Sequence, residues 1–340
     1  ACADALHLVR IRCDTVEETA SLDCTVRLFS QPTAALTYYQ TRLRIDTRAH
    51  PYYQALSDVA EWWAQQDGYT PMEVPDAARA PLYSTWYGFH QNLTVEEVMA
   101  ECRIARKLGC KAVIIDDGWQ TLDAQRGYAY TGDWRPERIP DMKGLVDQVH
   151  ALGMKFMLWY SPPFLGKNAD MYPRFSGKTL FEWESQGTAI LDPRYPEVRE
   201  YLIGVFETAL DEWDLDGFKI DFIDQFRTRD DTVHQPIDGR DYGSVNQAVD
   251  RLMKDLMNRL RARKPEILIE FRQSYIGPLM RTYGNMFRAA DCPYDGAVNR
   301  NRTIDLRLLA GTTAVHSDML MWHPDEPVEL AARQILAALD

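Results

Sequence analysis

Asp216-Gly217-Phe218-Lys219-Ile220-Asp221-Phe222 is a short apolar run that carries a lysine and an aspartate two positions apart. In an extended strand, side chains alternate between faces, so Lys219 and Asp221 share one face. Charges are costly to bury unless they are paired, and these two can compensate one another. A lysine beside the aspartate also holds its pKa down, keeping it ionised and nucleophilic near neutral pH. The plain alternative, a structural ion pair, has to treat the polar residues on an otherwise apolar strand as accidental.

Working outward, runs of the same kind recur at 82–87, 112–116, 155–160, 267–271, 286–290 and 313–317, with 217–221 in their midst. Helical patterns separate most of them, including one from the N-cap candidate Thr94 to Leu108 and one over 245–263. Short apolar strands alternating with helices predict an α/β fold, a (β/α)8 TIM barrel. Seven strands are one short of closure, and the last helix, 328–339, ends where an eighth would begin. The expectation is that residues outside this sequence complete the barrel. Residues 1–50 alternate apolar and polar positions, as in Leu6-His7-Leu8-Val9-Arg10-Ile11 and Cys24-Thr25-Val26-Arg27-Leu28-Phe29. They read as the C-terminal part of a β-sandwich domain. Residues 51–81 read as a helical linker, with a helix over 52–66 and then Asp67-Gly68, Pro71, Pro75 and Pro81. The catalytic barrel is 82–340.

The 340 residues are 46% hydrophobic, enough for a substantial core. A net charge of -12, from 50 acidic and 38 basic residues, disfavours capture of nucleic acid or of an anionic membrane and suits a neutral partner. The 9 Trp suit sugar faces, although most aromatic residues are expected to fill the core. Cys2, Cys13, Cys24, Cys102, Cys110 and Cys292 form no CxxC pair and read as scattered thiols, with no metal implied. No apolar run is long enough to span a membrane and no signal peptide is visible, which favours a cytoplasmic location. The missing initiator Met points to a processed or excised piece.

Barrel enzymes build their sites at the C-terminal ends of the strands. There the second run places Asp116 and Asp117, able to hold sugar hydroxyls or to serve as turn residues. The sixth run leads into Asp291, for which a helix N-cap or loop residue is the alternative, with Asp295 as a nearby competitor for the acid role. A retaining glycosidase sets two carboxyl groups about 5 to 5.5 Å apart and an inverting one roughly 6.5 to 9.5 Å, a gap that sequence does not measure. Trp86 and Trp159, at the ends of the first and third runs, are candidate sugar platforms or core. Glu270 and Arg272, at the fifth, bind substrate or pair with each other.

Taken together, Ile115-Asp116-Asp117-Gly118-Trp119, Gly132-Asp133-Trp134 and Lys219-Ile220-Asp221 resemble, in order and spacing, glycoside hydrolase family 36, the melibiase-type α-galactosidases, and the related family 27. The resemblance runs from about Tyr83 to the C-terminus. It implies Asp221 as nucleophile, Lys219 on a sugar hydroxyl, and Asp116 and Asp117 on the galactose 4- and 6-hydroxyls. Phe287-Arg288-Ala289-Ala290-Asp291 is similar to the family 27 acid/base segment, which implies Asp291 as acid/base and Arg288 as a substrate contact. The expected reaction is retaining hydrolysis of terminal α-galactosides through a glycosyl-aspartate, without a cofactor, on an oligosaccharide or glycoside. Self-association is left open. The fifth run departs from the family: Glu270-Phe271-Arg272-Gln273-Ser274-Tyr275-Ile276-Gly277-Pro278 stands where members carry Ser-Cys followed by glycines. That keeps N-acetylgalactosaminides, β-L-arabinopyranosides and other α-glycosides open as substrates. A transglycosylase similar to raffinose synthases, and a non-catalytic carbohydrate-binding barrel, are the rival readings.

Overall fold

The computed structural model describes residues 2–3, 9–30, 32–321 and 325–339; part of the alternating stretch at 6–8 lies outside them. Seven parallel strands lie side by side in chain order: β1 Leu82–Ser84, β2 Ala112–Ile115, β3 Lys155–Tyr160, β4 Gly217–Ile220, β5 Leu268–Arg272, β6 Met286–Arg288 and β7 Ala314–His316. This is the expected (β/α) barrel sheet, unclosed among the described residues. Beside β7 stands the short turn Asp76–Arg79 that precedes β1. There His316 Nε2 donates to Ala78 O at 2.7 Å and Arg79 Nη2 to Thr312 O at 2.8 Å.

The longer helices are α1 Tyr52–Ala64, α2 Val95–Lys107, α3 Met142–Ala151, α4 Pro196–Trp213, α5 Val245–Arg263, α6 Gly296–Leu309 and α7 Val328–Leu339. Thr94 caps α2 as expected: its Oγ1 accepts from Glu97 N at 3.3 Å, which satisfies one otherwise orphaned N–H, and donates to Glu97 Oε2 at 2.7 Å. In α5, Leu252, Leu256 and Leu260 recur every fourth position and are buried, the stripe an amphipathic helix turns to a core.

Strand alternation gives the sheet two distinct faces. Val113, Ile115, Phe156, Leu158, Phe218, Ile220, Ile269 and Phe271 join the helices in one large core. Ile114, Met157, Leu268, Met286 and Ala314 form a separate apolar cluster with Ala78. This second cluster is the floor of the barrel interior. Gly217 belongs to the same tier without a side chain: a Cβ there would meet Leu268 O at 2.1 Å, so the backbones approach too closely for any other residue.

The sixth strand, expected over 286–290, ends at Arg288, and the sequence reading differs more substantially at two other places. The first strand stops at Ser84, and Trp86 opens a helical turn, Trp86–Phe89. Between β3 and α4 the chain also makes a three-stranded antiparallel sheet of Phe164–Gly166, Thr179–Trp183 and Thr188–Leu191. Its strands are too short, and too fully buried in places, to show alternation. Ahead of the barrel, Arg10–Val16 and Ser21–Arg27 pair as an antiparallel hairpin, and Cys2–Ala3 pairs with Leu43–Arg44. Helix α1 buries Ala60 and Trp63 and receives a hydrogen bond from Arg281 Nη2 at Ala60 O, 2.8 Å long.

Candidate active site

Two residues beyond the floor, the same inward face turns polar. Ile114 gives way to Asp116, Met157 to Trp159, Gly217 to Lys219, Leu268 to Glu270, Met286 to Arg288 and Ala314 to His316. One step further, β4 leads to Asp221 and β5 ends in Arg272. Period-2 geometry therefore stacks a charged tier on an apolar one, and mutual neutralisation makes the burial tolerable.

Lys219 is the link between strands. Its Nζ lies 2.6 Å from Asp116 Oδ2 and 3.8 Å from Asp221 Oδ2. Burial alone would lower the lysine pKa, but the two carboxylates outweigh it and raise it, so the ammonium stays charged. Asp221, only 5% exposed, is held on both oxygens. Its Oδ1 accepts from Phe222 N at 2.8 Å, Arg272 Nε at 2.8 Å and Tyr275 Oη at 2.5 Å, and its Oδ2 from Trp159 Nε1 at 3.0 Å. Burial pushes its pKa up, yet Lys219, Arg272 and the Tyr275 and Trp159 hydrogen bonds hold the carboxyl well below the usual carboxylate range.

The paired aspartates diverge. Asp116 turns to Lys219, whereas Asp117 accepts from Gln91 Nε2 at 2.6 Å and Gln120 Nε2 at 2.7 Å. Asp117 is pushed up to about 7 by burial, against the pull of those two amides. Asp133, of the Gly132-Asp133-Trp134 motif, accepts from the backbone of Asp170 and Met171 at 2.8 and 2.9 Å, pinning the loop that carries Trp134 beside Trp119 and Trp159.

Arg288 serves three carboxylates. Its Nη2 is 2.9 Å from Asp291 Oδ1, Nη1 bonds Asp318 Oδ1, and Nε lies 3.7 Å from Glu270 Oε1. Asp291 leaves 46% of its side chain exposed. Burial raises its pKa, but Arg288, Arg272 and Lys219 together lower it below the ordinary value. Asp295 takes the cap instead: its Oδ1 accepts from Val298 N at 2.9 Å at the start of α6.

Glu270 and Arg272 do not pair with each other. Arg272 turns to Asp221, while Glu270 is buried beside Arg288 with neither oxygen hydrogen-bonded, and burial raises its pKa. Trp159 is 1% exposed, so it offers its indole N–H to Asp221 and not an open ring face. Trp86 sits half-buried with Arg126 stacked 5.0 Å from its ring centroid. Tyr275 and Asp318 escaped the sequence reading, as did Gln91 and Gln120, which hold Asp117. Tyr275 lies in the departing fifth-strand loop, where no periodicity marks it. Asp318 lies two residues past β7, is 1% exposed, and also accepts from Cys292 N at 2.6 Å and Tyr87 Oη at 3.1 Å; the strand-end rule would have found it.

Known proteins share this fold. The melibiase family model matches residues 65–278. The α-galactosidase AgaA of Geobacillus stearothermophilus is 28% identical over 145 residues, covering 40% of this chain and 20% of the relative. The α-galactosidase Mel36A of Lactobacillus acidophilus is 26% identical over 205 residues, covering 57% and 27%. The chain thus spans about a fifth to a quarter of the length of these curated relatives. Among solved structures, the galactosidase domain of the α-galactosidase-sucrose kinase AgaSK superposes with a TM-score of 0.65 at 20% identity, covering 84% of this chain and 40% of that one. A variant of Geobacillus stearothermophilus AgaA in complex with raffinose gives 0.61 at 18% identity, covering 83% and 45%. With a family model spanning more than half of its residues and the same barrel beneath it, this chain belongs to the melibiase family.

Proposed function

We propose that the site hydrolyses terminal α-galactosides with retention of configuration, Asp221 attacking the anomeric carbon and Asp291 serving as acid and then base. The observation that carries this reading is the set of donors on Asp221, which keeps a buried carboxylate ionised and aimed. Three donors occupy Oδ1 and one occupies Oδ2, so Oδ2 is the oxygen with a lone pair free for the sugar. A carboxylate this stabilised is also a competent leaving group, which the second displacement needs. Asp291, partly open to solvent, protonates the departing oxygen and then takes a proton from water. Its pairing with Arg288 favours the charged form, so the protonated acid is most abundant on the acidic side of neutrality. Asp116, Asp117, Lys219 and Arg288 are proposed to meet the sugar hydroxyls, and Trp86 to flank the mouth. The family assignment and the raffinose-bound neighbour support an α-galactoside as substrate.

The test is Asp221→Ala with an aryl α-galactoside. Turnover is expected to vanish and azide to restore part of it, giving the β-galactosyl azide. An Asp221→Ala protein with full activity, or a parent whose first product is the β-anomer, refutes the assignment.

A further inference from the structure

Cys13 and Cys24 lie on the N-terminal hairpin, outside the barrel sheet. They stand directly opposite each other in its register, with the two Sγ atoms 3.3 Å apart. Residues facing across antiparallel strands have Cα atoms about 4.5 to 5.5 Å apart, inside the range a disulfide spans. Closing the sulfurs to bonding distance therefore asks for side-chain rotation and leaves the backbone in place. Both thiols are exposed, unlike Cys102 and Cys292. Burial pushes those two up to about 12 and about 11, which leaves them as inert thiols.

We propose that Cys13 and Cys24 form a reversible cross-strand disulfide by exchange with a small disulfide of the glutathione type. One protein thiolate attacks a sulfur of the small disulfide, whose S–S bond breaks and releases one small thiolate. The other then attacks the protein sulfur of the mixed disulfide and expels the second small thiolate. The protein pair is oxidised, the small disulfide is reduced, and the two protein protons end on the two released thiols. Cys13 donates its S–H to Cys24, and this hydrogen bond holds its proton and raises its pKa. Either cysteine can make the first attack, the other then resolving the mixed disulfide. The bond encloses the turn Glu17–Thr19 and ties together a hairpin whose side chains are mostly exposed, a two-stranded unit with little stability of its own.

The protein is equilibrated in reduced and oxidised glutathione mixtures, acid-quenched, alkylated and digested with trypsin. Residues 13–27 contain no internal Lys or Arg and leave as one peptide. In oxidising mixtures this peptide is expected two hydrogens lighter and without alkyl groups, independent of protein concentration. In Cys13→Ser, glutathione is expected to accumulate on Cys24, because the resolving thiol is gone. A peptide that stays doubly alkylated, carries glutathione on both cysteines, or cross-links to a second chain overturns the proposal.

Discussion

Replacing Lys219 by Met removes one charge from the buried tier while keeping the side chain's bulk. Lys219 Nζ is 3.8 Å from Asp221 Oδ2. With an effective dielectric of about 20, the lost attraction is about 4 kcal/mol, or roughly three decades of proton affinity. Arg272, Tyr275 and Trp159 remain on the carboxylate, so the acid limb of kcat/KM is expected to rise by about two pH units. The sign follows from the direction of the shift. Asp221 has a depressed folded pKa, so its stabilisation is present above the ordinary carboxylate range and is lost as pH falls through the folded value. In Lys219→Met that value rises, and both activity and stability are lost earlier on acidification. Asp116 loses its 2.6 Å partner as well. Breaking a buried pair costs about 3 to 5 kcal/mol, so near-UV circular dichroism must accompany the pH profile on an aryl α-galactoside. A folded Lys219→Met protein whose acid limb stays within about half a pH unit of the parent refutes the claim that Lys219 sets the ionisation of Asp221.

Asp291→Asn should cut kcat/KM by about 10²- to 10⁴-fold on α-galactosyl sugars and much less on nitrophenyl galactosides, whose leaving group needs no proton; equal losses on both argue against the acid role. Asp117 carries a folded pKa of about 7, raised chiefly by burial, so its contribution favours folding at low pH and is lost as pH rises through that value. Asp117→Asn should therefore raise the thermal midpoint at pH 8 more than at pH 4, with Gln91, whose Oε1 has no partner, turning its carbonyl to the new amide. Gly217→Ala places a Cβ 2.1 Å from Leu268 O and should destabilise by about 3 kcal/mol or more, read by urea unfolding; an unchanged midpoint would show that β4 and β5 can separate without cost.

The amino-acid order by itself determined the barrel, because alternation within strands and fourfold recurrence within helices are local properties. Val245–Arg263 and Lys155–Tyr160 are found at the bounds their patterns predict. It also placed Lys219 and Asp221 on one face, since that needs only an extended backbone. The first strand was misjudged at Trp86, because apolar Trp-Tyr continues a strand pattern equally well into a helical turn. What only the tertiary structure decided is which charges meet. Lys219 could be expected beside Asp221, yet its shorter contact is with Asp116, two strands away. Glu270 and Arg272 are neighbours on one face but serve Arg288 and Asp221 respectively, because pairing is decided between strands, diagonally in the case of Glu270 and Arg288, and not by spacing along one. Tyr275 enters through a loop, where no period announces a direction. Strand patterns fix a residue's height and face in the barrel; its partners depend on the stagger between strands and on loop paths, which involve contacts far apart in sequence.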